Sequence, residues 1–361
     1  MNDNTKPLSY LDDQTMFLVW DSPKGGPRGK VLAKELGISS FHYVYSTRMP
    51  PRRNDWSALP RYAYQAAETL RLLIAKHPKL VFVQSPPSLA VLVVSLYCLL
   101  TGSRYIVDAH SAALLSPYWT RPRWLHSYLT RKALATMVTN EHFQQMIMDL
   151  GGRGLVLRDV PTTYSRAATY PLQGDFNVVV VNSFAPDEPI DEVIAAAALL
   201  PECEFYITGP KHRAKPEAIA KTPRNVHYTD YLPNDDYYAL LDSAQAVMCL
   251  TPRNHTMQRG ACEALALGTP IITSDWPLLR SYFHQGTVHV DNTAGGIRQG
   301  LLEMKEHYGR YQKGIKELQI QQQQEWRIKV HSLSELIEQA LGTTSRWASA
   351  YRTQTDESQI R

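Results

Sequence analysis

Short apolar runs and amphipathic stretches alternate along the chain. FLVW (17–20), FHYVYST (41–47), LVFVQ (80–84), RYIVDAHS (104–111), MVTN (137–140) and GLVLRDVP (154–161) read as strands, each a short apolar or β-branched run bounded by turn residues. Between them KVLAKELG (stopped by Gly37), Tyr62 to Ala75, Ser88 to Leu100 and Glu141 to Leu150 carry the helical signals. TTYSRAATYPLQGD (162–175) lacks periodicity and reads as a linker. A second alternating series follows, with strands FNVVVVNS (176–183), CEFYITGP (203–210), NVHYTDYLP (225–233), AVMCLTP (246–252), Pro270 to Thr273 and TVHVDN (287–292). Its helices lie in APDEPIDEVIAAAALLP, with acidic residues in the first turn, in NDDYYALLDSA, capped by Asn234, and in the stretch before Gly268. Helical signals then run from about Ala294 to Leu341 with a break near Gly314, and QIQQQQEW reads as a low-complexity helical surface. The pattern predicts an α/β protein with two Rossmann-like, doubly wound parallel-sheet domains facing across a cleft. The expected boundaries are 1–165, 166–320, a helix over 321–342 that crosses back to the first domain, and a polar tail over 343–361.

Composition fits this reading: 361 residues suffice for two cores, and 44% hydrophobic with 20% charged residues is that of a globular protein. The four cysteines stand apart in or beside apolar segments, as reduced core residues of a cytoplasmic protein do, and the polar opening MNDNTKPLSYLDDQ is no secretory signal. Lys79 and Arg104 enclose 24 uncharged residues, but Pro86-Pro87 divides them into a strand and a helix read as buried core, with partial bilayer contact as the alternative. Charge then separates the halves. Residues 1–170 hold 20 Lys+Arg and 11 Asp+Glu, net +9, whereas residues 171–361 hold 18 and 23, net −5. The basic half includes residues 119–132, where Trp119, Trp124 and Tyr128 interleave with Arg121, Arg123, His126, Arg131 and Lys132, a composition suited to an anionic headgroup layer. Nucleic acid would accept the same surface and is the less favoured partner; a solvated helix face is the plain alternative.

Candidate chemistry concentrates in HTMQRGACEALALGTPIITSDW (255–276). With Thr256 as N-cap, the amides of Gln258, Arg259 and Gly260 open toward an anion at the positive end of the helix dipole. Glu263, farther along the same helix, can take a second part of one ligand, for example both hydroxyls of a ribose. In the first half Asp108 and His110 end a strand, where a parallel sheet binds ligands, and either can act as a base or simply hold a loop. Gly25 and Gly26 let the first loop approach a phosphate, with Arg28 nearby, or form a simple turn. Asp12-Asp13 and Asp235-Asp236 read as a tail and a helix start, and no metal site is expected.

The order of an apolar strand, a loop, a helix with Glu263 and then ALALGTPIITSDW resembles the C-terminal signature of GT-B glycosyltransferases, chiefly the family-4-like group with the group 1 type C-terminal domain. Tyr231-Leu232-Pro233 before a helix matches its Y-[VL]-P element. The resemblance is best over 176–290 and rests on topology and VDAHS over 17–160. NSFAPDEP and the VDAH strand end also look like the β-1,4-mannosyltransferase that extends lipid-linked chitobiose. The resemblance implies a metal-independent hexosyltransferase that moves a sugar from a nucleotide-sugar to a saccharide acceptor; the basic, aromatic first half points to an acceptor that is lipid-linked and presented at the inner face of a membrane, in cell-surface polysaccharide or glycolipid synthesis. Glu263 would bind the donor ribose, the amides near Gln258 to Gly260 its pyrophosphate, and Gly209, Lys211 and Tyr231 would lie near base and ribose; His255, Thr256 and Met257 complete that loop. His110, with Asp108, would be catalytic. Two departures stand out: His255 occupies the position of a second Glu, and NSFAPDEP lacks the usual Arg and Lys, so Ser183, Arg253, Arg259 or Lys211 must balance the leaving group. A GT-B-fold sugar-nucleotide epimerase or hydrolase, and a non-catalytic two-lobed ligand-binding protein, are the rival readings.

Overall fold

A computed structural model describes residues 6–21, 28–45, 58–158, 160 and 169–343. Internal contacts divide the chain into two units, residues 1–160 with 325–361, and residues 161–324. The first contains β1 (Thr15–Val19), α1 (Arg28–Leu36), β2 (Phe41–Tyr43), α2 (Ala58–Lys76), β3 (Leu80–Ser85), α3 (Ser88–Thr101), β4 (Arg104–Ala109), α4 (Ser111–Leu115), α5 (Pro117–Thr120), α6 (Arg123–Lys132), β5 (Ala135–Val138), α7 (Glu141–Asp149) and β6 (Gly154–Val156). The second contains β7 (Asn177–Val180), α8 (Ile190–Ala198), β8 (Glu204–Thr208), α9 (Pro216–Ala220), β9 (Val226–Asp230), α10 (Asn234–Ser243), β10 (Ala246–Cys249), α11 (Arg259–Leu267), β11 (Ile271–Ser274), α12 (Pro277–Tyr282), β12 (Thr287–Val290) and α13 (Ala294–Glu306). Helix α14 (Tyr308–Leu341) begins in the second unit and ends in the first.

Both sheets are parallel and doubly wound, in the orders β2-β1-β3-β4-β5-β6 and β12-β11-β10-β7-β8-β9. Continuous apolar strands bury both faces, as helix-covered parallel sheets require. In the first sheet Leu18, Val81, Val83 and Val107 pack with α3, α6 and α7, while Phe17, Val19, Phe82 and Ile106 pack with Leu32 and Leu36 of α1 and with Val330, Leu333 and Ile337 of α14. In the second, Val178, Val180, Phe205 and Met248 face α8 and α13, while Val179, Val247 and Cys249 face α10, α11 and α12. In each sheet the strand order reverses once, between β1 and β3 and between β7 and β10. The crevice at the carboxyl ends beside such a reversal is where open α/β sheets bind ligands.

Several local expectations are corrected. Helix α3 is not a buried core helix: it buries Ala90, Val91, Val93, Val94, Tyr97 and Cys98 but leaves Leu96, Leu99 and Leu100 exposed. The helix near Gly314 is unbroken, and the break falls at His307. Glycine is required at 314 by close approach, since a Cβ there would lie 2.8 Å from the Gly286 amide nitrogen. Asn234 is the first residue of α10 rather than its cap; Pro233 holds the cap position and its carbonyl accepts from Tyr237 N at 2.9 Å. Asp12 does not belong to a tail: it lies in a 3-10 turn (Ser9–Gln14) and accepts from Ser39 N at 2.6 Å. The glutamine run is not surface alone, because Gln322 is buried and Gln319 donates to the Ala266 carbonyl of α11. Gly25 and Gly26 lie outside the described residues, as does the first half of the expected linker, residues 162–168.

Candidate functional site

At the strand reversal of the second unit, β10 leads through a loop into α11. Its root is pinned at Thr251, whose amide donates to Ser274 Oγ at 2.8 Å and whose carbonyl accepts from Trp276 Nε1 at 2.8 Å and Asn292 Nδ2 at 3.1 Å. The loop turns through His255 in the left-handed region (φ 58°), with the His255 amide donating to Asn254 Oδ1 at 2.7 Å. Met257 packs on the α10–α11 core.

Thr256 is not the N-cap, which corrects the sequence reading: α11 starts at Arg259, Gln258 holds the cap position, and Thr256 Oγ1 turns back to the Asn254 carbonyl at 3.5 Å. The first helical bond runs from Cys262 N to the Gln258 carbonyl, so the amides of Arg259, Gly260 and Ala261 precede the helical ladder. Gly260 brings this helix start against the sheet: a Cβ would lie 2.7 Å from Val181 Cγ1 and 2.8 Å from Cys249 Sγ. At the other end Gly268 closes α11 in the left-handed conformation (φ 79°).

Glu263 lies one turn into α11 and is 6% exposed. Its carboxylate accepts from Tyr237 OH of α10 at 2.8 Å and from Arg259 Nε at 2.8 Å, so two elements fix its orientation. Burial pushes the Tyr237 hydroxyl well above its ordinary pKa, and the charge of Glu263 adds to the effect, so the phenol stays a donor. Burial likewise raises the Cys249 thiol, making it an inert wall beside Gly260.

The cations of the site are already engaged. Arg253 Nε lies 3.2 Å from Asp187 Oδ2, joining the loop before α11 to the loop after β7. In that second loop Glu188 accepts from Ser183 N (2.8 Å), Ser183 Oγ (3.0 Å) and Ala185 N (2.8 Å), so Ser183 is held by a carboxylate of its own loop. Gly209 ends β8 at φ 91°, and a Cβ there would lie 2.1 Å from the Asn182 carbonyl oxygen. Lys211 places Nζ 4.9 Å from the Tyr228 ring centroid and its amide donates to Asp230 Oδ1 at 3.3 Å. Tyr231 is 79% exposed, so no packing fixes its ring. Sequence reasoning missed Tyr237, Asp187 and Glu188. The clamp on Glu263 joins two helices 26 residues apart and has no local signature.

In the first unit, Asp108 at the end of β4 is fully buried. Its oxygens face Arg28 Nε at 3.6 Å and His110 Nε2 at 3.5 Å. Burial alone would raise the Asp108 carboxyl, but the Arg28 guanidinium and His110 outweigh it and hold the pKa below the ordinary value. Arg28, the first residue of α1, also donates through Nη2 to the Leu157 carbonyl at 3.1 Å. It is therefore tied into this cluster. His110 holds the cap position of α4 and is about one-third exposed, so it is the accessible member of the group. Among the described residues, no three His, Cys, Asp or Glu side chains converge on a metal position.

Residues 191–340 match the model of the glycosyl transferase-like family, a segment that includes α11 and every donor-side candidate of the second unit except Ser183. No curated protein sequence matches the chain. Among solved structures the chain is similar to sucrose-phosphate synthase from Thermosynechococcus elongatus (TM-score 0.65, 14% identity, 91% of this chain and 89% of that one). It is also similar to Anabaena HepE in complex with UDP (0.64, 14%, 91% and 99%) and to a glycosyltransferase from Rickettsia africae ESF-5 (0.66, 11%, 91% and 99%). The chain thus shares its two-sheet fold with these glycosyltransferase structures, and residues 191–340 match the glycosyl transferase-like family.

Proposed function

We propose that the chain transfers a hexosyl unit from a nucleotide-sugar to a saccharide acceptor, carried on a lipid at the inner face of a membrane, in the synthesis of cell-surface polysaccharide or glycolipid. The observation that carries the donor assignment is Glu263: a buried carboxylate clamped by Tyr237 and Arg259 in the first turns of α11, next to the open amides of the helix start. A carboxylate fixed in this way suits a pair of vicinal ribose hydroxyls, and the helix start suits a diphosphate. HepE, the similar protein from Anabaena, has been crystallised with UDP and with UDP-glucose, which supports a donor of this class.

The amides of α11 stabilise the leaving diphosphate; Arg253 joins them by exchanging Asp187 for a phosphate oxygen, and Arg259 adds its charge while its Nε stays on Glu263. Both side chains are more than half exposed. No metal is required in this reading. His110 is the group assigned to the acceptor hydroxyl, with Asp108 as its positioning residue: a carboxylate buried beside Arg28 stays charged and orients the imidazole, but has no access to a substrate. The lipid-linked acceptor rests on the basic first half and the aromatic, cationic segment 119–132, and makes the protein a cytoplasmic one in peripheral contact with an anionic leaflet.

The test is transfer of labelled sugar from UDP-, GDP- and dTDP-hexoses into a lipid-extractable product. Donor-dependent labelling of lipid that disappears in Glu263→Ala is the expected result. Release of free sugar or an isomerised nucleotide-sugar without acceptor would instead assign the chain to a hydrolase or epimerase.

A further inference from the structure

Helix α3 carries an apolar face that the described residues leave open to water. Leu92, Leu96, Leu99 and Leu100 follow one another at helical spacing, and the last three are 51%, 65% and 86% exposed. Scattered surface leucines are ordinary, but three on one face of a helix with no charged residue mark an interaction surface.

The surroundings define the partner. From residue 69 to residue 140 the chain has eight Lys and Arg, namely Arg71, Lys76, Lys79, Arg104, Arg121, Arg123, Arg131 and Lys132, and each is exposed. The one acidic residue in that span, Asp108, is fully buried. Topology brings five of the eight to the end of the leucine face. Helices α2, α3 and α6 each run back to the amino-terminal edge of the sheet, where β3, β4 and β5 begin, so Lys76, Lys79, Arg104, Arg131 and Lys132 share that edge with Leu99 and Leu100. Helix α6 lies beside α3; it is tied to β4 by the Tyr105 hydroxyl, which donates to the Leu129 carbonyl at 2.7 Å, and α5 is tied to α3 by Ser88 Oγ, which donates to the Trp119 carbonyl at 2.6 Å.

We infer that this flank docks on an anionic lipid bilayer surface, with Leu96, Leu99 and Leu100 entering the acyl boundary and the edge cations meeting headgroup phosphates. The inference deepens the membrane-contact reading above and rests on it, but moves the apolar anchor from segment 119–132 to α3. Helix α3 has 14 residues and is about 21 Å long at the usual helical rise, too short to cross a hydrocarbon core of roughly 30 Å, so it lies along the interface. A second copy of the chain fits the same face poorly, because pairing would bring two copies of the same five-cation cluster together.

The test is co-sedimentation of the full chain with phosphatidylcholine vesicles, with and without phosphatidylglycerol. Wild type is expected to sediment with the anionic vesicles and to be released by salt. The L96S/L99S/L100S variant should bind them at least ~10-fold more weakly, and R131E/K132E should lose binding and its salt dependence. Melting curves identify any misfolded variant, and L100S alone, at the most exposed of the three positions, replaces the triple variant if needed.

If the leucine variants bind like wild type while W124A/R131A/K132A does not, the role of α3 is overturned and contact through 119–132 stands. If wild type ignores anionic vesicles, both ideas fail, and the donor assignment is judged separately by nucleotide binding. If the wild type is a dimer that L96S/L99S/L100S converts to monomer without any vesicle binding, the face belongs to a second copy and the inference is wrong.

Discussion

The carboxyl ends of the two sheets carry charge in opposite ways. At β4 the Asp108 carboxylate is fully buried, and Arg28 and His110 converge on it. At the start of α11 the cations Arg253 and Arg259 are 64% and 55% exposed; Arg253 rests against Asp187, which a ligand could displace, and Arg259 against Glu263. A buried pair keeps a geometry, whereas exposed pairs exchange partners cheaply because water and ligand oxygens compete for them. The contrast separates a fixed cluster in the first unit from the more adaptable surroundings of the proposed anion site in the second, although both occupy the same place in the same kind of sheet.

The comparison breaks most readily at Asp108. Asp108→Asn should cost about 3–5 kcal/mol of stability, since it leaves the guanidinium of Arg28 without its buried partner; chemical denaturation measures this directly. The pH sign follows from the depressed carboxyl. Its contribution is present above the unfolded-state value of about 4 and is lost as pH falls through the lower folded value, so the wild type's advantage over Asp108→Asn should shrink only in acid. Equal stability of the two proteins at neutral pH would show that the pair is not a fixed element.

His110→Ala comes next. It should lower kcat about 10²- to 10⁴-fold with unchanged nucleotide affinity. A loss of nucleotide affinity instead would merge the two regions that the comparison keeps apart. Gly260→Ala should destabilise by about 1–3 kcal/mol, through the clash of its Cβ with Val181 and Cys249, and raise the donor KM by moving the start of α11. Tyr237→Phe is the mildest change: losing one hydrogen bond to Glu263 should weaken donor binding by about 1 kcal/mol, read as a several-fold rise in Kd. A larger effect would mean that Tyr237 itself touches the donor.

Both sheets were legible because their strands are continuous apolar runs whose period needs no tertiary information, as in FNVVVVNS and LVFVQ. The α11 segment was legible because Glu263, Gly268 and the following strand sit at short, fixed spacings. Three things were not. The clamp of Tyr237 on Glu263 and the hold of Glu188 on the Ser183 loop depend on where elements meet, and an acidic residue before a helix looks like dipole compensation in any sequence. The cap was misplaced because Thr256 is a good cap by type, yet the left-handed turn at His255 delays the helix to Arg259. Finally, an apolar helix such as α3 reads as core by composition, and only its packing shows which face stays in water.

The start of α11, with Glu263, is the proposed donor site. The most direct measurement is a thermal-shift titration of wild type and Glu263→Ala with UDP-, GDP- and dTDP-sugars. One nucleotide class should raise the wild-type Tm in a concentration-dependent way and leave Glu263→Ala unmoved. A wild type that responds to none of them, or a variant that responds equally, would contradict the assignment.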